Sequence, residues 1–150
     1  MDLKSPATIA PLIDVVIQSS TFDVAAETQL LETALSDKRI NMGALATFTG
    51  SVRGSETATP DDAATYGELL ALDIEHYPAM TQSTIEAIAL KASQRWTFLA
   101  CRVIHRVGRL AVGEPIVLVL VASSHRKEAF VVCEYILVYF LNYTIHLGVY

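Results

Sequence analysis

Runs of apolar and β-branched residues along the chain predict five β-strands. Each run is bounded by polar or turn-forming residues, which is typical of strands. The five predicted strands cover residues 12–18, 43–53, 69–77, 99–107 and 115–122. Between them, small and polar residues at 54–65 predict a mobile loop, and residues 108–114 are expected to form a connection.

A spacing of three to four residues between apolar positions predicts three α-helices. Asp23 can cap a first helix over about 24–36. Ser83 and Glu86 resemble a capping box, which predicts that a second helix begins there. A third helix is expected over about 124–141. The order of strands and helices therefore indicates an α+β fold whose sheet is mixed and at least partly antiparallel.

Length, composition and charge narrow the class of protein. A chain of 150 residues with 52% apolar residues can bury a sizeable core, so we expect one domain over residues 1–150 and little disorder. The net charge of −5 argues against non-specific binding of nucleic acid. Cys101 and Cys133 match no metal-ligand spacing and no disulfide framework. Because the sequence shows no secretory signal, we expect reduced thiols and a cytoplasmic location.

The last part of the chain is unusually apolar. Residues 129–150 contain a single charged residue, Glu134, and this length could cross a bilayer. However, Glu134, Asn142 and His146 interrupt the run, and no basic residue follows it. We therefore expect no membrane contact, and interpret residues 130–150 as an atypical apolar tail that begins as a buried helix.

Arginine and histidine residues lie at the ends of predicted strands, where they can form an anion-binding pocket. Arg53 ends a strand just before the predicted loop, and Gly50 can let backbone approach a ligand closely. His125 and Arg126 lie where a strand meets a helix, with Ser123 and Ser124 as candidate caps. A helix N-terminus attracts anions, and a guanidinium group offers paired hydrogen bonds to phosphate. The alternatives are that Arg53 only marks a solvated strand end and that His125 and Arg126 only flank a helix cap.

The other histidines favour structural roles. His105 precedes Arg106 near a strand end, where a histidine is more often hydrogen-bonded than catalytic. Glu75 and His76 are neighbours in a predicted strand, so they point to opposite faces and cannot easily pair. No short histidine or cysteine spacing indicates a metal site, and no dinucleotide or P-loop pattern indicates a cofactor. The residues by themselves thus predict an anion-binding α+β domain.

Several segments taken together resemble the catalytic (large) subunit of molybdopterin synthase. They are residues 43–53 (GALATFTGSVR), 74–80 (IEHYPAM), 95–96 (RW), 103–108 (VIHRVG) and 123–130 (SSHRKEAF). The resemblance implies an α/β-hammerhead fold and a dimer of large subunits, each holding a small ubiquitin-like partner in a heterotetramer. The partner's C-terminal Gly-Gly carries a thiocarboxylate. Two sulfur atoms pass to cyclic pyranopterin monophosphate (precursor Z), giving the dithiolene of molybdopterin for molybdenum cofactor biosynthesis.

The resemblance also implies the site residues. The substrate-binding segments of the family fall on Ser51, Val52 and Arg53 and on a second segment, His125 and Arg126. In this interpretation Arg53 and Arg126 hold the phosphate and pterin, and His125 helps to orient the site.

No catalytic residue is assigned, because the two tail lysines of the family fall on Leu141 and Gly148 in an ungapped alignment from His125. A cation that steadies developing negative charge cannot be replaced by leucine or glycine. The alternative function is therefore a non-catalytic subunit that docks the small partner. A third possibility is an unrelated anion-binding domain, which the number of matching segments disfavours.

Overall fold

The computed structural model describes residues 9–53, 71–74 and 77–146. Within these ranges the chain forms six strands and three helices. In chain order they are β1 (Leu12–Gln18), α1 (Val24–Asp37), β2 (Ala44–Ser51), β3 (Ala71–Ile74), α2 (Pro78–Arg95), β4 (Ala100–Arg106), β5 (Gly108–Ala111), β6 (Pro115–Ser123) and α3 (Arg126–His146).

The main sheet has four strands in the order β1-β4-β6-β2. β1 runs parallel to β4, whereas β6 runs antiparallel to both of its neighbours, β4 and β2. The prediction of an α+β fold with a mixed, partly antiparallel sheet is therefore confirmed. A separate antiparallel pair, β3 with β5, follows the end of β4.

Helices cover both faces of the main sheet. α2 and α3 pack on one face, with α2 against β1 and α3 against β6 and β2, and α1 lies on the other face against β4. The sequence of β6 is a continuous apolar run because this strand is buried on both faces. Val117, Val119 and Val121 point into the α2–α3 core, whereas Leu118 and Leu120 point toward α1. A central strand that is buried on both faces loses the alternation of polar and apolar residues.

Local signals placed the start of α1 correctly. The Asp23 side chain accepts a hydrogen bond from the Ala26 N–H at 2.8 Å, as the predicted N-cap should. The predicted start of α2 at Ser83 was wrong, because α2 begins at Pro78. Proline suits the first helical position, since it has no N–H to satisfy and its φ is already helical. The Ser83 hydroxyl donates to the Ala79 carbonyl at 2.9 Å inside the helix.

Two other elements differ from the prediction. The stretch expected to be a connection contains β5, which starts at Gly108 with φ 91° and pairs with β3. A four-residue strand whose partner is distant in sequence leaves too short a pattern to recognise. α3 continues past the predicted end near Leu141 and includes His146, because no glycine or proline interrupts the sequence there. The loop predicted at 54–65 lies outside the described residues.

α3 runs back along the sheet, antiparallel to β6. It begins just after β6 ends, and its Phe140 ring lies edge-on to His105 of β4 with ring centroids 5.0 Å apart. The path from Arg126 to Phe140 is about 21 Å at the helical rise. The N-terminus of α3 therefore lies at the β2 start, and its C-terminal part lies at the β2 end. No helix in the described part of the chain combines the length and apolar character needed to cross a membrane.

Candidate functional site

The first predicted segment lies at the end of β2, where the backbone bulges between Gly50 and Ser51. Val52 anchors this segment, because its N–H donates to the Glu114 carbonyl at 2.9 Å and its carbonyl accepts from the Gly113 N–H at 2.8 Å. Its side chain is buried in a small cluster with Ile74, Leu110 and Ile116. Ser51 and Arg53, on either side of this anchor, are exposed.

The second predicted segment forms the entry to α3. His125 and Arg126 are both exposed, and the His125 carbonyl accepts from the Ala129 N–H at 3.3 Å in the first turn. Arg126 is the first residue of α3, so it lies at the N-terminus of a 21-residue helix, which is the positive end of the helix dipole. Ser123 does not cap this helix as predicted. It is buried, and its hydroxyl donates to the Thr97 carbonyl at 3.5 Å.

Gly43 ties the start of β2 to the second segment. Its N–H donates to the Ser123 carbonyl at 3.0 Å, and a Cβ at this position would lie 2.0 Å from the Ser124 carbonyl oxygen. Only glycine fits such a close approach of two backbones, because every other residue would collide there. The sequence placed Gly43 at a strand start but did not indicate this contact.

Gly50 has a packing role rather than the predicted role of admitting a ligand. A Cβ at Gly50 would lie 2.9 Å from Cγ1 of Val117 and 3.4 Å from the Phe48 ring. Neighbouring side chains therefore already occupy the space on that side of the strand.

The two predicted segments lie at opposite ends of the sheet. In the β2–β6 register, Ala44 is opposite Ser123 and Ser51 is opposite Pro115. The seven residue steps between Ala44 and Ser51 span about 24 Å at the rise of an antiparallel strand. The sequence predicted that Arg53 and Arg126 lie in one pocket, and for a single copy of the chain this prediction is wrong. Arg53 lies at one end, whereas His125 and Arg126 lie at the other.

Arg106 belongs to the framework beneath the first segment. It is buried, and it donates to the Ser19 carbonyl from Nε at 3.3 Å and from Nη2 at 3.1 Å. Its Nη1 donates to the Pro115 carbonyl at 3.0 Å and lies 3.7 Å from the Glu114 carboxylate. Arg106 thus fastens the end of β1 to the start of β6 and cannot also reach a ligand.

The remaining histidines and the two positions where the family has lysine were also named from the sequence. His105 is buried against Phe140, in agreement with the structural role expected for it. His76 and Glu75 lie outside the described residues, as does Gly148. The backbone of Leu141 follows Phe140 in α3. One of the two positions where the family has lysine therefore lies at the same end of the sheet as Arg53.

Neither cysteine is suited to carry sulfur. Burial in the α2–α3 core raises the pKa of the Cys101 thiol to about 12 and that of the Cys133 thiol to about 11. The thiolate is the nucleophilic form, so both groups are protonated and inert near neutral pH. Among the described residues, no group of three His, Cys, Asp or Glu side chains is placed to hold a metal ion.

A cavity of about 470 Å³ lies at the C-terminal end of α1, lined in part by Glu32, Arg39 and Met42. None of the five predicted substrate-binding residues lines it. The predicted site is therefore separate from this cavity and lies on the exposed ends of the sheet.

Comparison with known sequences decides the family. The profile of the family described as MoaE protein matches residues 17–139. The chain belongs to the MoaE family. The molybdopterin synthase catalytic subunit of Cereibacter sphaeroides is 42% identical over 125 residues, which is 83% of this chain and 76% of that protein. The corresponding subunit of Pseudomonas aeruginosa is 37% identical over 123 residues, covering 82% of this chain and 74% of that protein.

Solved structures agree with this assignment. Molybdopterin cofactor biosynthesis protein E from Burkholderia multivorans superposes with a TM-score of 0.69 at 34% identity, covering 86% of this chain and 76% of that protein. A complex of subunits 1 and 2 of molybdopterin-converting factor from Helicobacter pylori contains the same fold, with a TM-score of 0.57 at 19% identity over 81% of this chain and 72% of that one. The resemblance inferred from the sequence is confirmed, since the MoaE relatives are named catalytic subunits of molybdopterin synthase.

Proposed function

We propose that this chain is a large subunit of molybdopterin synthase that works as a dimer with a site shared between two copies. It takes sulfur from the thiocarboxylated C-terminus of a small ubiquitin-like partner and transfers two sulfur atoms to cyclic pyranopterin monophosphate. The family and the named activity of its relatives support the reaction.

The proposal of a site shared between two copies rests on the distance between the two predicted segments. Arg53 and Arg126 lie at opposite ends of β2, and these ends are about 24 Å apart. This distance is too great for both side chains of one copy to hold the same small substrate. Two copies related by a two-fold axis can place the Arg53 end of one copy beside the Arg126 end of the other. A dimer then carries two equivalent sites, each with one arginine from each copy.

The roles of the residues follow from their chemistry. Arg53 and Arg126 hold the phosphate and the pterin through charge-assisted hydrogen bonds. The N-terminus of α3 adds backbone N–H groups and the positive end of its dipole. Ser51 offers a hydroxyl next to Arg53, Val52 holds that segment in place, and His125 orients the ligand from the second copy.

The source of the sulfur is the small partner. Because the thiols of Cys101 and Cys133 are buried and protonated, neither supports a relay in which this chain carries the sulfur itself. The Helicobacter pylori structure holds the two subunits of molybdopterin-converting factor together, which supports a small-subunit partner for this chain. The partner's Gly-Gly tail enters at the Arg53 end. The two free cysteines fit a cytoplasmic location.

A second candidate function is a subunit that docks the small partner and the precursor without converting them. The observation that favours it is the presence of Leu141 and Gly148 where the family has lysines. Loss of a cation at a site of developing charge typically lowers the rate about 100- to 1000-fold.

Mixing two inactive variants tests the shared site. Arg53→Ala and Arg126→Ala are prepared separately, unfolded and refolded together, and assayed with thiocarboxylated partner and precursor for the dithiolene product. Each variant alone should lose about 10- to 100-fold in kcat/KM, as expected for hydrogen bonds to a charged group. In the mixture half of the dimers are mixed, and each has one intact site. Activity should therefore return to about one quarter of wild type by two-fold symmetry.

The matched control mixes wild type with the double variant Arg53→Ala/Arg126→Ala. A shared site predicts about one quarter of wild-type activity, because mixed dimers then contain no intact site. A site within one copy predicts about one half, and it also predicts no recovery from the two single variants. That pair of results would overturn the shared site. Wild type that binds partner and precursor but forms no product would instead establish the docking function.

A further inference from the structure

The turn between β5 and β6 holds the end of β2 in place. Val52 immediately precedes Arg53, and its N–H donates to the Glu114 carbonyl at 2.9 Å. The Val52 carbonyl accepts from the Gly113 N–H at 2.8 Å, so the peptide groups on both sides of Val52 are bonded to the turn. Because a peptide group is planar, the second of these bonds also restrains the N and Cα atoms of Arg53. The turn therefore determines where the Arg53 side chain starts and how far its guanidinium reaches.

A side chain of the turn closes the turn on itself. The Glu114 N–H donates to the Ala111 carbonyl at 3.0 Å, which is the usual backbone bond of a four-residue turn. Gly113, the third residue, has φ 89°, a conformation that favours glycine. The Ala111 N–H in turn donates to Oε2 of Glu114 at 2.6 Å. Both backbone groups of Ala111 are thus bonded to Glu114, one of them through the carboxylate.

The other oxygen of this carboxylate faces Arg106. Oε1 of Glu114 lies 3.7 Å from Nη1 of Arg106, and the two side chains are 42% and 7% exposed. Arg106 is itself held by the carbonyls of Ser19 and Pro115. A cation that is fixed in this way attracts the carboxylate from one direction only. The partly exposed Glu114 side chain is therefore kept on the turn by an ordered, buried arginine.

Apolar packing supports this arrangement but does not orient it. The Val52 side chain is buried with Leu110 of β5 and Ile116 of β6, which flank the turn on either side. The hydrophobic effect is non-directional, so it keeps Val52 beside the turn without fixing the orientation of its peptide groups. Hydrogen bonds depend on angle as well as distance, and the bonds to the turn supply that orientation. Arg53 is therefore only as well placed as the turn is ordered.

We infer that Glu114 is a positioning residue for precursor binding, because its carboxylate orders the turn that holds Val52 and thereby places Arg53. This role rests on the proposed function, in which Arg53 binds the precursor, and it deepens that function by naming the residue on which Arg53 depends. The carboxylate is engaged by Ala111 and Arg106. A direct contact with the precursor would also oppose binding, since a carboxylate repels a phosphate. The effect of Glu114 on binding therefore passes through Arg53.

Hydrogen exchange measured by NMR tests whether Glu114 orders this segment in the folded, full-length chain. Glu114→Ala should raise the exchange rate of the Val52 N–H at least about 10-fold, because the segment opens locally once the turn loses its carboxylate. The N–H of Val119, a buried residue in the centre of β6, reports on global unfolding and should change less than about 3-fold. Asp73→Ala is the matched control, because it removes a carboxylate that lies beside Arg109 on the β3–β5 pair. It should leave both exchange rates unchanged.

A double-mutant cycle tests whether the effect passes through Arg53. Calorimetry measures the affinity for cyclic pyranopterin monophosphate and requires no turnover. Glu114→Ala should lower this affinity about 10-fold in the wild-type background but less than about 2-fold in the Arg53→Ala background, because the residue to be positioned is then absent. Asp73→Ala should lower it in neither background. A purely structural role predicts the same factor in both backgrounds, and that result would overturn the role of Glu114.

Glu114→Gln separates the two contacts of the carboxylate. The amide oxygen can still accept from the Ala111 N–H, whereas the neutral group no longer attracts Arg106. Because the bond to Ala111 closes the turn, this variant should bind the precursor within about 3-fold of wild type. An affinity as low as that of Glu114→Ala would contradict the assignment to the turn. Both variants should fold, as circular dichroism can confirm, since the side chain is partly exposed.

The outcomes separate the role of Glu114 from the proposed function. Equal acceleration of exchange at Val52 and Val119 would indicate a general loss of stability and would refute a positioning role. Normal precursor binding by both wild type and Glu114→Ala would refute it as well, but would leave the proposed function intact. Wild type that does not bind the precursor, or Arg53→Ala that binds it as tightly as wild type, would instead overturn the proposed role of Arg53 and, with it, that of Glu114.

Discussion

Two arginines in this protein pair with carboxylates at sites of very different burial, and removing each arginine should have a very different cost. Arg102 of β4 is 16% exposed and bridges Asp14 on β1 and Glu27 on α1. Glu27 is equally buried, at 16% exposure. Arg109 of β5 lies 3.6 Å from Asp73 on β3, and these side chains are 73% and 64% exposed. We compare Arg102→Met with Arg109→Met.

The loss of folding free energy in each variant depends on how deeply the carboxylate that loses its arginine is buried. Removing one partner of a fully buried pair costs about 3–5 kcal/mol, because the other charge stays desolvated. Glu27 retains some access to water, so we expect Arg102→Met to cost about 2–3 kcal/mol. An exposed pair contributes about 0–1 kcal/mol, so Arg109→Met should cost less than about 0.5 kcal/mol.

Urea unfolding monitored by circular dichroism measures both variants against wild type. A loss of 2–3 kcal/mol corresponds to a decrease in Tm of roughly 4–12 °C for a domain of this size, and the Arg109 variant should stay within about 2 °C. Adding Glu27→Gln to the Arg102 variant should restore about 1 kcal/mol, because a neutral amide is cheaper to desolvate than a carboxylate.

Equal losses in the two single variants would refute this reasoning, since burial would then not determine the cost. A double variant less stable than Arg102→Met alone would also refute it. That result would mean that the carboxylate of Glu27 stabilises the fold without its arginine.

Four further predictions concern the site and the core. Gly43→Ala forces apart two backbones that a Cβ would bring to 2.0 Å, so precursor affinity measured by calorimetry should fall at least about 10-fold; unchanged affinity would show that the entry to α3 does not depend on this contact. Because burial raises the pKa of Cys101 to about 12 and of Cys133 to about 11, iodoacetamide at pH 8 should label neither thiol until urea unfolds the chain. Because the folded protein holds these thiol protons more tightly than the unfolded chain does, the raised pKa values stabilise the fold below pH 9, and this stabilisation is lost as the pH rises through 11. The free energy of unfolding should therefore fall over this interval, and rising stability there would contradict the burial of the thiols. Leu141→Lys should raise the rate of dithiolene formation at least about 10-fold, whereas Leu90→Lys on the surface of α2 should leave it unchanged; no gain would mean that a cation at this position is not limiting.

Local features of the sequence were sufficient for most of the elements. β6 is recognisable because a strand buried on both faces is apolar throughout, and α1 is recognisable from the cap at Asp23 and its helical spacing. The chemistry of the site was also visible, since arginine at a strand end and at a helix start predicts anion binding whatever the fold. The order of several motifs in the sequence was enough to indicate the MoaE family.

Positions that depend on distant partners were not visible in the sequence. β5 exists because β3 pairs with it, and Gly43 must be glycine because Ser124 passes within contact distance. The same strand-end pattern that describes Arg53 also describes Arg106. Only the fold shows that Arg106 is buried and bonded to two backbone carbonyls, whereas Arg53 is exposed.

The sequence by itself determined which residue types are available to bind an anion and which elements carry them. The tertiary structure decided where those elements end relative to one another. Because β2 and β6 are antiparallel, the end of one lies beside the start of the other, and the segments that follow them leave from opposite ends of the sheet. Strand direction and register are set by long-range pairing and burial, which local patterns do not encode. The separation of Arg53 from Arg126, and with it the case for a second copy, therefore emerged only from the fold.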